Sequence, residues 1–266
     1  MQTETPPESG PRPKPPAHAL GLALSAARTS AMAAWTLGSM YTALFHLDRR
    51  PPEQRPELLQ RRMKLWARGL STVFGVEQHR VTPEPASARG ARLVVANHRS
   101  PLDIILMIEH FGGCVLSRSD LERWPVLGKA AYHGGTIFVD RDDPKSGVRA
   151  IREIRRRLNE GRTVIVFPEG TTHRGDEVHP FLGGAFSAVR GLGAEIVCAG
   201  IAYDPGAEFV DESFVEHIAR VAQRRRTRVG LAFGTPWPAG ADRAAMAERA
   251  RSEVRALVAR ARAGLG

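Results

Sequence analysis

The chain is poor in the residues that cross-linked scaffolds and metal modules rely on. Of its 266 residues, two are cysteines, Cys114 and Cys198. That excludes a disulfide framework and a cysteine-based zinc module, and it fits a reducing compartment. Aromatic residues make up 6%, sparse for a base-stacking platform. Long apolar runs are missing too. Residues 29–47 carry no Lys, Arg, Asp or Glu, but Ser30, Thr36, Gly38, Ser39 and Thr42 dilute them, and a spanning helix needs about 20 mostly apolar residues. There is no Gly-x-Ser-x-Gly elbow, no Gly-x4-Gly-Lys phosphate loop and no His-Glu-x-x-His. Gly191-Leu192-Gly193 lacks the third glycine of a dinucleotide loop. His110, His133, His173, His179 and His217 show no ligand spacing and read as surface or packing residues.

What is present is an ordinary globular composition, 42% hydrophobic and 25% charged, long enough to bury a real core. Lys and Arg number 38 against 28 Asp and Glu, a net charge of +10. Such a surface attracts polyanions: anionic lipid, nucleic acid or an acidic protein. The run Arg224-Arg225-Arg226 with Arg228 reads first as a solvated charged stretch.

Three regions follow. Residues 1–17, with six prolines, form a tail that cannot build a core. Glu4 and Glu8 before a late apolar stretch argue against a signal peptide. Residues 18–75 read as N-terminal membrane-associating helices. The run 29–47 either lies on or partly enters a bilayer, or packs on the protein's own core. In 57–74, Leu58, Leu59, Met63, Trp66, Leu70 and Phe74 recur at helical spacing among Arg61, Arg62, Lys64 and Arg68, the composition of an interfacial helix. Residues 76–266 alternate strand and helix patterns. Strands are expected at Arg92–Ala96, Thr136–Val139, Thr163–Phe167, Ile196–Ala202 and Arg228–Phe233, with helices at Pro101–Phe111, Arg149–Leu158 and Ala241–Ala263. This predicts an α/β fold, a mostly parallel mixed sheet flanked by helices.

In such sheets ligands bind beyond the carboxyl ends of the strands. After the first expected core strand comes Asn97-His98-Arg99-Ser100-Pro101-Leu102-Asp103. Ser100 suits an N-cap, Pro101 the first helical position, and Asp103 the third. Asp103 can therefore complete a capping box with Ser100. The same geometry lets it hold one ring nitrogen of His98 and leave the other as a base. Phe167-Pro168-Glu169-Gly170-Thr171 follows another strand. Gly170 allows a positive φ or close approach, and Glu169 falls at the same sheet edge as His98. Asp140-Arg141 ends a third strand, where Arg141 either forks onto a phosphate or pairs with Asp140, Asp142 or Asp143.

These segments resemble, in order, the motifs of the lysophosphatidic acid acyltransferase family of glycerolipid acyltransferases. Asn97–Asp103 resembles its N-H-x4-D block, Gly135–Arg141 its second, and Phe167–Thr171 its third. Phe181–Phe186 is similar to the segment that follows, and Ile196–Ile201 stands where the fourth block belongs. The resemblance covers about residues 60–240. It implies that His98, held by Asp103, takes the proton from a lysolipid hydroxyl, which attacks the thioester of acyl-CoA or acyl-acyl-carrier-protein without a covalent acyl-enzyme.

The family pattern further implies that Glu169, Gly170 and Thr171 shape the acceptor site and that Arg141 binds acceptor phosphate. Arg118 is a second phosphate candidate. No cofactor or metal is implied. Three positions depart from the family. Thr172 stands where relatives carry arginine after Glu-Gly-Thr, with Arg174 two residues on as a substitute. Cys198 replaces a proline, and Leu182 a commonly basic residue.

The expected acceptor is 1-acylglycerol-3-phosphate, giving phosphatidic acid; another lysolipid, such as one with a larger head group or a lyso-ornithine lipid, is the alternative. A non-catalytic basic membrane-binding module is the alternative of a different class. The expected partners are the lipid acceptor, acyl-CoA or an acidic acyl carrier protein, and the membrane surface at the cytoplasmic face, with no nucleic acid.

Overall fold

The structure is a computed structural model that describes residues 16–86, 90–124, 126–140 and 143–266. Two helices come first, α1 (Pro16–Asp48) and α2 (Arg55–Val73). Pro51 and Pro52 separate them, where a proline disfavours helix in the residue before it. The strands are β1 (Val76–Arg80), β2 (Arg92–Ala96), β3 (Cys114–Arg118), β4 (Ile137–Val139), β5 (Thr163–Val166), β6 (Glu195–Tyr203), β7 (Thr227–Phe233) and β8 (Trp237–Pro238). The helices between and after them are α3 (Pro101–Phe111), α4 (Leu127–His133), α5 (Pro144–Asn159), α6 (Gly184–Val189), α7 (Phe214–Gln223) and α8 (Arg243–Ala263).

The strands form one sheet in the order β1-β7-β6-β2-β5-β3-β4, with β8 also beside β6. Pairing is parallel except where β6 meets β7 and β8. The expected mixed, mostly parallel α/β sheet is borne out. Side chains alternate across it, as a period of two requires. Leu93, Val95, Val164, Val166, Ile196 and Cys198 face one core with α5, α6 and α8. Val94, Ala96, Ile165, Val197, Ala199 and Ile201 face the other, with α2, α3 and α7. Each fully buried Leu, Ile or Val contributes about 1.5–3 kcal/mol. Gly230 lets α8 lie directly on the sheet, because a Cβ there would collide with the Ala261 carbonyl.

The N-terminal helices pack on the chain itself. Ser25 Oγ donates to the Ala219 carbonyl at 3.1 Å, and Arg28 Nη1 to the Arg224 carbonyl at 2.6 Å, at the end of α7. Trp35 Nε1 donates to the Trp66 carbonyl at 2.9 Å, and Trp66 Nε1 to Thr36 Oγ1 at 3.1 Å. Leu20, Leu22, Trp35, Tyr41 and Phe45 of α1 and Leu65 of α2 remain exposed. Among the described residues, no helix is long and apolar enough to cross a membrane.

Candidate functional site

The site grows from the end of β2. Register places Arg92–Val95 beside Thr163–Val166 of β5 and Arg92–Ala96 beside Glu195–Ala199 of β6. β6 runs four residues further, so Gly200–Tyr203 passes along the turn that leaves β2. Asn97 fastens the two: its Nδ2 donates to the Ile201 carbonyl and its Oδ1 accepts the Ile201 N–H, both at 2.8 Å.

Ser100 is the N-cap of α3, its Oγ accepting from Leu102 N–H at 3.3 Å; Pro101 is at N1 and Asp103 at N3 of a capping box. Both sequence readings of Asp103 hold at once. Its Oδ2 accepts from the backbone N–H of Arg99 at 2.5 Å and of Ser100 at 2.8 Å, and lies 2.9 Å from His98 Nδ1. The carboxylate is fully buried, whereas the His98 side chain is 16% exposed. His98 stacks on Phe167, with ring centroids 4.3 Å apart and planes at 19°. A carboxylate on Nδ1 selects the tautomer with the proton there and leaves Nε2 as the acceptor.

His98 lines an open cleft of about 500 Å³, walled by Leu116, Val139, Ile151, Ile154, Phe167 and Phe214 among others. Pro101, Ile104, Ser117, Leu121 and Phe214 also line a second, apolar cavity of about 170 Å³ that runs between α1, α2, α3 and α4. Gly170 and Thr171 line the cleft, and Gly170 has φ +81°, as a turn at this position requires.

The other expected substrate-binding residues scatter. Arg118 does reach the cleft, paired with Asp120 at 3.1 Å. Among the described residues these two are the acidic and basic side chains of its lining. Arg174 is exposed, 3.5 Å from Asp211, and does not line the cleft. Thr172 lines the cleft with its hydroxyl turned to the Phe209 carbonyl at 2.6 Å. Arg141 lies outside the described residues.

Glu169 lies at the sheet edge beside His98, as expected, but its side chain turns away from the cleft. Its side chain is fully buried and does not line the cleft. It pairs with Arg99 Nη1 at 2.7 Å and accepts the backbone N–H of His98 at 2.9 Å and of His179 at 3.0 Å. Arg99 also donates to the carbonyls of His98 and Gly175, both at 2.6 Å. Buried charges persist when paired and fully hydrogen-bonded, so this pair clamps the loop after β5 onto the His98 turn.

Two further buried groups reach the turn from distant segments. Tyr203 Oη donates to Asp103 Oδ1 at 2.7 Å. Burial and the adjacent Asp103 carboxylate raise the Tyr203 phenol well above its usual range, which keeps it protonated. His217 lies 3.0 Å from Ser100 Oγ through Nε2, and 2.8 Å from Glu212 Oε1 through Nδ1. Burial holds its ring below the ordinary histidine range. The sequence reading passed over Arg99, Tyr203 and His217 as site residues. The Cys198 thiol is buried, and burial raises it well above the ordinary range, so it is an unreactive core group.

Residues 76–202 match the family model described as Acyltransferase. The chain is 31% identical over 246 residues to a lyso-ornithine lipid O-acyltransferase of Pseudomonas aeruginosa, a match covering 89% of this chain and 93% of that protein. It is 26% identical over 213 residues to a 1-acyl-sn-glycerol-3-phosphate acyltransferase of Neisseria meningitidis serogroup B, covering 77% and 83%. The crystal structure of the 1-acyl-sn-glycerophosphate (LPA) acyltransferase of Thermotoga maritima shares its fold. The TM-score is 0.73 over 91% of this chain and 96% of that one, at 19% identity.

Proposed function

The chain belongs to the lysophosphatidic acid acyltransferase family of glycerolipid acyltransferases, and from that premise we propose that it moves a fatty acyl group from an acyl thioester to a lysolipid hydroxyl, with His98 as general base. The observation that carries this reading is the His98–Asp103 pair at 2.9 Å at the cleft.

The chemistry follows from that geometry. Asp103 holds the Nδ1–H, so Nε2 accepts the proton of the acceptor hydroxyl. The oxygen attacks the thioester carbonyl carbon, an ester C–O bond forms and the C–S bond breaks. The departing thiolate takes the proton back from the imidazolium, and no acyl-enzyme intervenes. The apolar cavity between α1, α2, α3 and α4 shares Pro101, Ile104 and Phe214 with the cleft that His98 lines, and it suits an acyl chain. Acyl-CoA and acyl-carrier-protein both supply the thioester. Exposed Leu, Trp, Tyr and Phe on α1 and α2 support attachment to a membrane surface, and the cytoplasmic face is where such donors are held.

The acceptor is best read as a lysolipid whose head group carries both charges, as lyso-ornithine lipid does. Supporting this, Arg118 and Asp120 form a balanced pair in the cleft, Thr172 turns to a backbone carbonyl and Arg174 points elsewhere. A second reading, 1-acylglycerol-3-phosphate, is favoured by the arginine at 118. The test offers purified protein labelled acyl-CoA and acyl-carrier-protein against both lysolipids, with His98→Ala as control. Transfer to lyso-ornithine lipid, lost in the variant, is expected. Transfer to 1-acylglycerol-3-phosphate alone selects the second reading. Activity retained by His98→Ala overturns the mechanism.

A further inference from the structure

We propose that Tyr203 is a positioning residue for acyl transfer, fixing Asp103 from the end of β6 so that Asp103 can fix His98. The inference rests on the reading of His98 as the base.

The Asp103 carboxylate is unevenly held. Oδ2 takes the backbone N–H groups of Arg99 and Ser100 as well as His98. All three come from the turn that contains the base. Oδ1 is held by Tyr203 Oη at 2.7 Å, and that contact spans a hundred residues of sequence. Without it, a fully buried carboxylate would have one oxygen anchored by its own loop and the other with no donor. Rotation about Cβ–Cγ would then be resisted by the turn alone. Tyr203 therefore converts a local cap into an orienter tied to the sheet.

The anchor is itself fixed. Tyr203 is 2% exposed and packed in the core on the α3 and α7 side of the sheet. Its backbone carbonyl accepts from Arg262 Nη1 of α8 at 2.7 Å. Arg262 in turn pairs with Asp176. Two residues earlier, Ile201 is fastened to Asn97. Phenol and carboxylate are thus held by different elements that meet at the β2–β6 pairing. The charged or titratable groups around the pair are His98 and Arg99 from the turn, His217 from α7, Asp204 and Glu208 after β6, and Arg262 from α8. The phenol does not line the cleft, so its action passes through Asp103.

The bond also sets the charge that His98 feels. A donor on Oδ1 draws electron density from the carboxylate. Losing it makes Asp103 a stronger acceptor for the Nδ1 proton, which stabilises the imidazolium. A stronger donor does the opposite.

The test uses the full chain with Tyr203→Phe, which keeps the ring and removes the hydroxyl, and a second variant with 3-fluorotyrosine at position 203, which keeps the shape and strengthens the donor. For Tyr203→Phe, kcat falls about tenfold, far less than the roughly 10⁴-fold cost of disabling an orienting carboxylate itself. KM for donor and acceptor stays within about twofold, because neither substrate touches the phenol. The acid limb of the pH–rate profile moves up by about half a unit in the Phe variant, from the added imidazolium stabilisation, and down in the fluorotyrosine variant. The NMR resonance of the His98 Nδ1–H moves downfield in the first and upfield in the second, a readout that needs no turnover. A resonance unmoved in both variants overturns the proposal, whichever acceptor is used. So does a loss of activity that follows the unfolded fraction alone, with the pH profile unchanged. Absence of acyl transfer in the wild type with the resonance still moving in opposite directions would fail the functional reading and leave the positioning intact.

Discussion

Replacing Glu169 by alanine separates a structural clamp from a substrate contact. The carboxylate is fully buried and holds Arg99, itself 1% exposed, together with the N–H groups of His98 and His179. Truncation leaves a buried guanidinium with no counter-charge and two backbone donors without acceptors. Removing one partner of a buried pair costs about 3–5 kcal/mol, a large part of the roughly 5–15 kcal/mol by which domains are stable. At about 2–4 °C per kcal/mol for a chain near this size, the melting temperature should fall by about 6–20 °C. Replacing both partners, Arg99→Met with Glu169→Leu, should recover much of that loss, since an apolar pair of similar volume leaves no stranded charge. The assay is thermal unfolding of wild type, single and double variants, with acceptor KM measured below each transition. A Glu169→Ala protein that melts within about 2 °C of wild type but shows a raised acceptor KM would refute the clamp and restore the substrate role implied by the family pattern.

Three other outcomes are expected. Asp103→Asn should lower kcat by orders of magnitude because the wrong His98 tautomer is favoured, and it should leave acceptor KM close to wild type in steady-state kinetics. Gly230→Ala should destabilise by about 2 kcal/mol or more, measured by denaturant unfolding, because its Cβ meets the Ala261 backbone that α8 cannot withdraw without opening the core. His110, His173 and His217 are each held below the ordinary value of 6.5, with burial as the first cause. As pH falls through 6.5 the unfolded chain takes these protons before the folded one does. Stability is therefore fully present above that pH and declines below it. Melting temperature should drop between pH 7 and pH 5, less steeply in His217→Gln, and a flat profile would contradict the burial argument.

Much of the fold was legible from local pattern. β2 and α3 fall on the expected Arg92–Ala96 and Pro101–Phe111, because a continuous apolar run and a Ser-Pro-x-Asp start each carry their own physics. β1 and β3 were missed: Val76–Arg80 is short and polar, and Cys114–Arg118 runs from buried to exposed within five residues. α7 was missed despite its Ser213–Glu216 capping box. Helix α1 packs on α7 through Ser25 and Arg28, and within the run 29–47 it packs on α2 through Trp35 and Thr36 while keeping other apolar side chains outside. The reading of that run as packed on the protein's own core holds for the Trp35 and Thr36 face.

The chemistry-bearing turn was determined by the sequence itself. His98, Ser100 and Asp103 lie within six residues, and helix capping leaves them little choice of geometry. What the tertiary structure decided is everything that reaches that turn from afar: Glu169 turned inward onto Arg99, Tyr203 onto Asp103, His217 onto Ser100. These contacts join residues 70 to 117 apart. They depend on strand order and on β6 outrunning β2 by four residues. Neither propensity nor spacing along the chain encodes a pairing register across the sheet. Burial then decides the contacts: closed inside the fold, the Glu169 carboxylate pairs with Arg99 and takes the His98 N–H instead of facing the cleft.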